Sequence, residues 1–172
     1  MHISALEEYG LRCALQLAKA RGQGPLSASQ IAELEGISIE YVSKFMHLFK
    51  KAGLVHAARG VQGGFSLVRE AAAVSLKDVF EALKAKKTAT GDFCQQFAGQ
   101  QKTCVHLNQC SVRPFWQLVS FYFEEMTRQL TLADLLAHES NTRHLIQSIV
   151  EDGVRSFKLK VKKEVPVCPI SP

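Results

Sequence analysis

Three cysteines in the middle of the chain are the residues best suited to chemistry. Nine residues separate Cys94 from Cys104, and five separate Cys104 from Cys110. Thiolates are the ligands that iron–sulfur clusters prefer, because the anionic sulfur donates electron density to iron. The surrounding segment, residues 86–111, is rich in Gln, Thr and Gly and lacks helical periodicity. The sequence therefore predicts a long loop on which three sulfur ligands can converge.

The same three thiols are open to other chemistry. Together with His106 they could hold zinc, although structural zinc sites usually pair ligands about two to four residues apart. A reversible thiol switch, through a disulfide or a sulfenic acid, is another interpretation. The last interpretation is that the three cysteines are free thiols with no common role. Spacing alone does not decide between these alternatives.

The other two cysteines are not expected to act as ligands. Cys13 shares a face of the first predicted helix with Tyr9 and Leu17, which indicates a small core residue. Cys168 lies among prolines and is interpreted as an incidental thiol. Five cysteines are an odd number, and the N-terminus lacks a signal-peptide pattern, so we expect reduced thiols in the cytoplasm. No apolar run approaches the roughly 18 residues of a membrane span.

The elements that must position the cysteine loop begin with a helix and a hairpin in residues 38–69. Ser38 is a helix-capping residue type, and apolar residues recur at helical spacing from there to Gly53. Two short strands follow, residues 55–58 and 65–68, joined by a loop whose glycines allow positive φ. A helix followed directly by a hairpin is typical of a winged helix-turn-helix. We therefore predict a mainly α fold with a small β-hairpin wing.

This helix-and-hairpin stretch is basic, as contact with DNA phosphates requires. The whole chain has a formal net charge of +5. The stretch itself carries five Lys and Arg residues against one acid, namely Lys44, Lys50, Lys51, Arg59 and Arg69 against Glu40. The sequence therefore predicts a DNA-binding surface here.

The start of the predicted recognition helix supplies the candidate DNA contacts, because this part of the helix enters the major groove in such domains. We expect Ser38 and Tyr41 to be exposed and to meet phosphates. Ser43 and Lys44 are expected to face base edges, with a phosphate as the alternative for lysine. Arg59, at the wing tip, is expected to enter a minor groove, with a simple phosphate contact as the alternative.

Helix starts are marked by four Ser or Thr residues, each followed three positions later by an acid or amide: Ser4, Ser27, Ser75 and Thr131. A long helix with two apolar stripes is predicted after the cysteine loop, which indicates packing on its own domain and on a second copy. The predicted organisation is residues 1–85 for the winged domain, 86–111 for the cysteine loop, 112–138 for the dimerisation helix and a short following helix, and 139–172 for a less regular, mobile extension.

Several segments in this order resemble the Rrf-two (Rrf2) family of bacterial regulators, of the IscR, NsrR and RirA type. They are EYGLR, YVSKFMHLFKKAGLV, RGVQGGFSLVR, the three-cysteine loop and TLADLL, within roughly residues 1–138. The resemblance implies a cytoplasmic, homodimeric winged-helix repressor or activator that binds palindromic promoter DNA. It also implies that an iron–sulfur cluster (2Fe–2S or 4Fe–4S), held by Cys94, Cys104 and Cys110, controls DNA affinity. The gap between the first two cysteines is longer here than in the best-known sensors, so the cluster type is open.

The resemblance further implies a fourth ligand. IscR-like members use a histidine three residues after the last cysteine, and Arg113 stands there in this chain. NsrR-like members use an acidic residue from the first helix of the partner subunit, and the matching position is Glu8, which we favour. His106, inside the loop, is the second candidate. The alternative for Glu8 is an ion pair with Arg12, one helical turn later.

Two other functions are kept as alternatives. One is a cluster-free winged-helix regulator that responds to a metabolite, thiol oxidation or a protein partner. The other is an iron–sulfur electron-transfer or carrier protein. An enzyme is not expected, because the sequence contains no recognisable nucleophile–base set or phosphate loop.

Overall fold

The protein is described by a computed structural model that covers residues 3–60, 63–84, 98–100, 104–106 and 109–160. The helices in these ranges are α1 (Ala5–Lys19), α2 (Ala28–Glu35), α3 (Ile39–Lys51), α4 (Leu76–Leu83), α5 (Arg113–Gln129), α6 (Leu132–Leu136) and α7 (Glu139–Lys160). Strands β1 (Val55–Ala58) and β2 (Gly64–Leu67) form one antiparallel hairpin, and a 3-10 turn spans Ala71–Ala73. The mainly α fold with a β-hairpin wing, predicted from the sequence, is confirmed.

The chain forms two compact units. The first comprises Met1–Ala85 with Thr127–His144, and the second comprises Lys86–Met126 with Leu145–Pro172. None of the helices in the described ranges is both long enough and apolar enough to span a membrane.

All four capping boxes predicted from the sequence are present. Ser4, Ser27, Ser75 and Thr131 each accept a hydrogen bond from the backbone N–H three residues later. The side chain at that later position accepts a bond from the cap's own backbone N–H in return. Each box satisfies two otherwise unpaired donors, so local sequence is enough to start these helices.

The core of the first unit lies where α1, α3 and α4 meet. Phe45 and Phe49 are 0% and 1% exposed. Burial of such a side chain contributes about 1.5–3 kcal/mol. Helices α1 and α4 approach closely at Gly10, where an added Cβ would lie 2.6 Å from the methyl carbons of Leu83. Helix α6 joins this core through Leu132, which is fully buried and donates its N–H to the Val74 carbonyl at 2.9 Å.

A buried carboxylate joins α1 to α2. Glu35, the last residue of α2, is 8% exposed and accepts bonds from Arg12 Nε and Gln16 Nε2, both at 2.5 Å. An acid at a helix C-terminus is unfavourable beside the helix dipole, so these two donors stabilise it. The Glu35 hydrogen bond and charge, followed by the weaker attraction of Glu8, raise the pKa of Arg12. The ion-pair partner of Arg12 is thus Glu35, and the sequence-based alternative with Glu8 is wrong.

We expect Arg12→Met to lower the free energy of unfolding by about 2 kcal/mol, because it leaves the buried Glu35 charge with one donor. The expected loss is below that of a fully buried pair, since the Arg12 side chain is 43% exposed and water can approach. Urea denaturation measures it. The matched control is Arg143→Met, which breaks an exposed pair with Glu139 and should cost less than about 0.5 kcal/mol. Equal losses in both variants would contradict this account.

Beyond His138 the sequence indicates a less regular extension with helix only around Leu145–Val150, and this is wrong for residues 139–160, which form the single helix α7 of 22 residues. Gly153 and interspersed charges obscure its pattern in the sequence. Apolar residues nevertheless recur at helical spacing, namely Leu145, Ile146, Ile149 and Val150. In the second unit α7 packs on α5, since a Cβ on Gly153 would lie 3.9 Å from the Tyr122 ring. Residues 161–172, including Cys168, lie outside the described residues.

Candidate nucleic-acid interface and cysteine ligands

The first two turns of α3 present polar side chains at the surface. Ser38, Ser43 and Lys44 are exposed, as the sequence predicts. Ser38 also caps the helix, because its hydroxyl accepts a bond from the Tyr41 N–H at 3.2 Å. Bonds from its own backbone N–H and from the Ser38 side chain hold the pKa of Glu40 below its ordinary value. Glu40 therefore stays ionised at the helix N-terminus, where a negative charge is favourable.

Tyr41 is half-buried, so the prediction that it is exposed is wrong. Its ring centroid lies 4.6 Å from that of Phe45 and 5.9 Å from that of Tyr9. A large aromatic ring next to an apolar core gains more from packing than from remaining in water. Tyr41 thus joins α3 to α1 in addition to any contact with DNA.

Sequence reasoning missed His47. It lies one turn after Ser43 on the exposed side of α3. The four-residue spacing from Ser43 was the available signal. Its imidazole adds a hydrogen-bonding group to the exposed polar side of α3.

The wing places Arg59 at the exposed end of β1. Its two strands pair from Val55 with Leu67 to Ala58 with Gly64, so β2 begins one residue earlier than predicted. Gly60 follows with φ of +112°, a conformation that favours glycine. Residues 61 and 62 at the tip lie outside the described residues.

The wing is fastened to the residue before the α2 cap. Leu26 and Phe65 exchange backbone hydrogen bonds of 3.0 and 2.7 Å. This pairing brings Gly64 so close that an added Cβ would lie 2.6 Å from the Leu26 carbonyl carbon and oxygen. Glycine at this position is therefore required by a close approach of two backbones. Two arginines, Arg21 and Arg69, lie near the base of the hairpin and are both bound to protein oxygens.

Two of the three predicted cysteine ligands lie in the described part of the chain. Cys104 and Cys110 are free and partly exposed thiols, and His106 is exposed. Cys94 lies outside the described residues, so convergence of the three sulfurs stays a prediction. Among the residues that the structure describes, no three His, Cys, Asp or Glu side chains form a metal-binding group.

Cys13 is confirmed as a core residue. It is 0% exposed, and burial raises the pKa of its thiol to about 12. The thiol is therefore protonated at neutral pH and is a poor ligand or nucleophile.

Glu8 is exposed on α1, whereas its neighbour Glu7 is engaged in the capping box with Ser4. Glu8 thus stays a predicted fourth ligand.

The donor types available in this chain fit an iron–sulfur cluster better than a hard cation. The soft sulfur atoms of Cys104 and Cys110 are accessible and unbridged, which a cluster ligand requires. Calcium or magnesium would instead need several oxygen donors around one point.

Comparison with known proteins identifies the relatives of this fold and surface. The Rrf2 family model, described as an iron-dependent transcriptional regulator, matches residues 3–138. The chain belongs to the Rrf2 family. The family resemblance seen in the sequence is thereby confirmed, and this Rrf2 chain is a transcriptional regulator from a DNA-binding family.

Individual relatives agree with this assignment of the Rrf2 chain. Protein rrf2 of Nitratidesulfovibrio vulgaris is 27% identical over 140 residues, which cover 81% of this chain and 90% of that protein. The structure of T. potens IscR is 30% identical with a TM-score of 0.63, covering 79% of this chain and 86% of that one. The structure of CymR, the global cysteine regulator of B. subtilis, is 27% identical with a TM-score of 0.61, covering 78% and 95% respectively.

The family match of the Rrf2 chain ends at residue 138. Helix α7, which begins at Glu139, therefore lies beyond the region shared with the family model. The winged domain, by contrast, lies almost wholly inside it.

Proposed function

We propose that this Rrf2-family chain is a homodimeric regulator that binds promoter DNA, and that an iron–sulfur cluster controls its DNA affinity. The observation that carries the proposal is the presence, in one Rrf2 chain, of an exposed reading surface and accessible free thiols. The reading surface is the start of α3 together with the wing. The thiols are those of Cys104 and Cys110, which directly precede α5.

The DNA-binding half rests on exposure and charge. Ser43 and Lys44 project from the first turns of α3, where a recognition helix meets base edges and phosphates. Arg59 is exposed beside the wing tip, where an arginine reaches a phosphate or a narrow minor groove. A two-fold dimer would present this surface twice, which suits a palindromic operator.

We expect Arg59→Ala to weaken DNA binding about tenfold and to reduce the slope of log affinity against log salt by about 1, as loss of one phosphate-neutralising charge predicts. Fluorescence anisotropy measures this with a duplex that the wild-type protein selects from a random-sequence library. The control is Arg143→Ala, which removes another exposed arginine, on α7, and should leave both quantities unchanged. Unchanged affinity in Arg59→Ala would remove the wing from the interface.

The homodimer is supported by an apolar surface on α5. Phe115 and Trp116 are 56% and 47% exposed in the single chain, and their ring centroids lie 5.1 Å apart. An exposed aromatic pair of this kind is typical of protein interfaces. A second copy of the chain is the proposed occupant, and sedimentation equilibrium of the full chain tests it. A monomer at micromolar concentration would contradict the dimer.

The cluster half rests on the ligand set. Cys94, Cys104 and Cys110 would hold the group, with Glu8 of the partner subunit as the favoured fourth ligand and His106 as the second candidate. A bound cluster supplies a group whose charge and integrity respond to redox state, nitric oxide or iron supply. Binding that holds the cysteine loop in one arrangement would favour one population of the dimer, and DNA affinity would follow that population.

Anaerobic purification tests the cluster half directly. The expected protein is coloured and contains iron together with acid-labile sulfide. Titration with nitric oxide or oxygen is expected to bleach the absorption and to change affinity for the selected duplex. Colourless protein without iron or sulfide after anaerobic isolation would refute cluster binding. A coloured protein with no affinity for DNA would instead favour the carrier alternative.

A second candidate is a cluster-free regulator that responds to thiol oxidation or to a metabolite. The similarity to the global cysteine regulator CymR and the accessible thiols of Cys104 and Cys110 favour it. In that case, metal-free protein would bind the duplex fully, and mild peroxide would change affinity through the thiols. The two candidates therefore differ in whether iron and sulfide accompany the active protein.

A further inference from the structure

We propose that Arg21 is a positioning residue for DNA reading, which holds the root of the wing and acts on DNA through the wing. The root is defined as the end of β2 and the residues directly after it, Leu67–Glu70. The proposal rests on the proposed DNA-binding function. It assigns Arg21 a role other than a phosphate contact, which its charge alone would suggest.

The geometry of Arg21 is that of a clamp. It lies just after α1, and its Nη1 donates to the carbonyls of Leu67 at 3.2 Å and Arg69 at 2.8 Å. Its Nη2 bonds to the Glu70 carboxylate. One planar guanidinium thus binds three oxygens within four consecutive residues of the root. The side chain is only 34% exposed, and its donors point at the protein.

A second arginine, Arg69, belongs to the root and joins it to the residues that follow. Arg69 Nη1 donates to the Ala73 carbonyl at 3.0 Å, and Nη2 bonds to Asp78 Oδ2 at 3.1 Å. Asp78 also closes the capping box of α4. Arg69 was counted from the sequence among the charges available to phosphates, but its guanidinium is engaged inside the first unit.

The wing needs such fastening because an isolated two-stranded hairpin is marginally stable in water. Its other attachments are the backbone pairing of Leu26 with Phe65 and the bond from the Val68 N–H to the Leu54 carbonyl. Arg59 lies at the opposite end of the hairpin from the root. Four strand residues span about 13 Å at the usual rise, so a small rotation at the root moves Arg59 appreciably.

The experiment compares Arg21→Lys with Arg21→Gln on the duplex that the wild-type protein selects. A clamp requires the forked guanidinium, so both variants should bind DNA about fivefold to tenfold more weakly, with the salt slope unchanged. A phosphate contact requires only charge. It would leave Arg21→Lys near wild-type affinity and lower the slope in Arg21→Gln by about 1, which would overturn the proposal. Arg143→Gln is the charge control, with no expected effect on either quantity.

A double-mutant cycle separates positioning from a general loss of stability. If Arg21 acts through the wing, Arg21→Gln should have little further effect once Arg59 is replaced by alanine. Full additivity of the two losses would overturn the proposal.

Hydrogen exchange without DNA tests the clamp independently of the proposed function. Amides of β1 and β2 should lose protection in Arg21→Gln, whereas α1 amides keep theirs. If the wild-type protein binds no duplex, the proposed function fails, and this measurement alone decides whether Arg21 holds the wing. Unchanged wing protection would overturn the clamp.

Discussion

Anaerobically purified Cys104→Ala protein is expected to contain no stable cluster, and therefore to lack visible absorption, iron and acid-labile sulfide. The reason is that the cysteine loop supplies three thiolates, so the substitution leaves two, and two sulfur ligands hold a cluster poorly. Cys110→Ala should behave in the same way. Both variants should then show the DNA affinity of the metal-free wild-type protein.

Cys13→Ala is the matched control for these cysteine variants. It removes a thiol of the same type from a position that is 0% exposed and protonated at neutral pH. Its iron and sulfide content should equal that of the wild type. Full cluster content in Cys104→Ala would mean that the ligands are assigned to the wrong residues, and loss in Cys13→Ala would point to instability instead.

Gly64→Ala is expected to destabilise the winged domain by about 2–3 kcal/mol, because the new methyl group would collide with backbone atoms that cannot rotate away. The ideal Cβ position lies 2.6 Å from the carbonyl carbon and oxygen of Leu26. Either the pairing of Leu26 with Phe65 breaks or the hairpin shifts. Both outcomes misplace Arg59, so DNA affinity should fall together with the urea midpoint.

Gly153→Ala provides the contrast to Gly64→Ala. Among the side chains that the structure describes, its added Cβ would meet only the Tyr122 ring, at an ordinary contact distance of 3.9 Å. Since glycine inside a helix is unfavourable, alanine here should stabilise the protein by up to about 1 kcal/mol. If both glycine variants change the unfolding free energy by the same amount and sign, the steric explanation for Gly64 fails.

The features predicted correctly from the sequence depend on residues close to one another in the chain. Capping boxes at Ser4, Ser27, Ser75 and Thr131 join positions three residues apart, so the sequence contains both partners of each bond. The hairpin follows from its glycine-rich loop, and β2 differs from the prediction only in starting and ending one residue earlier. Local chemistry therefore predicts the helix starts and the hairpin well.

The features that were missed depend on partners far apart in the chain. Glu35 resembles an exposed helical acid until α1 brings Arg12 and Gln16 against it, across 23 and 19 residues. Arg21 resembles a phosphate ligand until the carbonyls of Leu67 and Arg69 accept its hydrogen bonds, across 46 and 48 residues. The periodicity of apolar residues in the sequence does not indicate such hydrogen-bonded pairs, because they form only when the elements pack together.

The burial of Cys13 affects the order in which the cysteines react with oxidants. Peroxides attack thiolates that solvent can reach, and a buried thiol with a pKa of about 12 is neither ionised nor accessible. The accessible Cys104 and Cys110 would therefore be oxidised first, while the winged domain keeps its fold. A reductant would then reverse the oxidation of these thiols without refolding the domain that carries α3 and the wing.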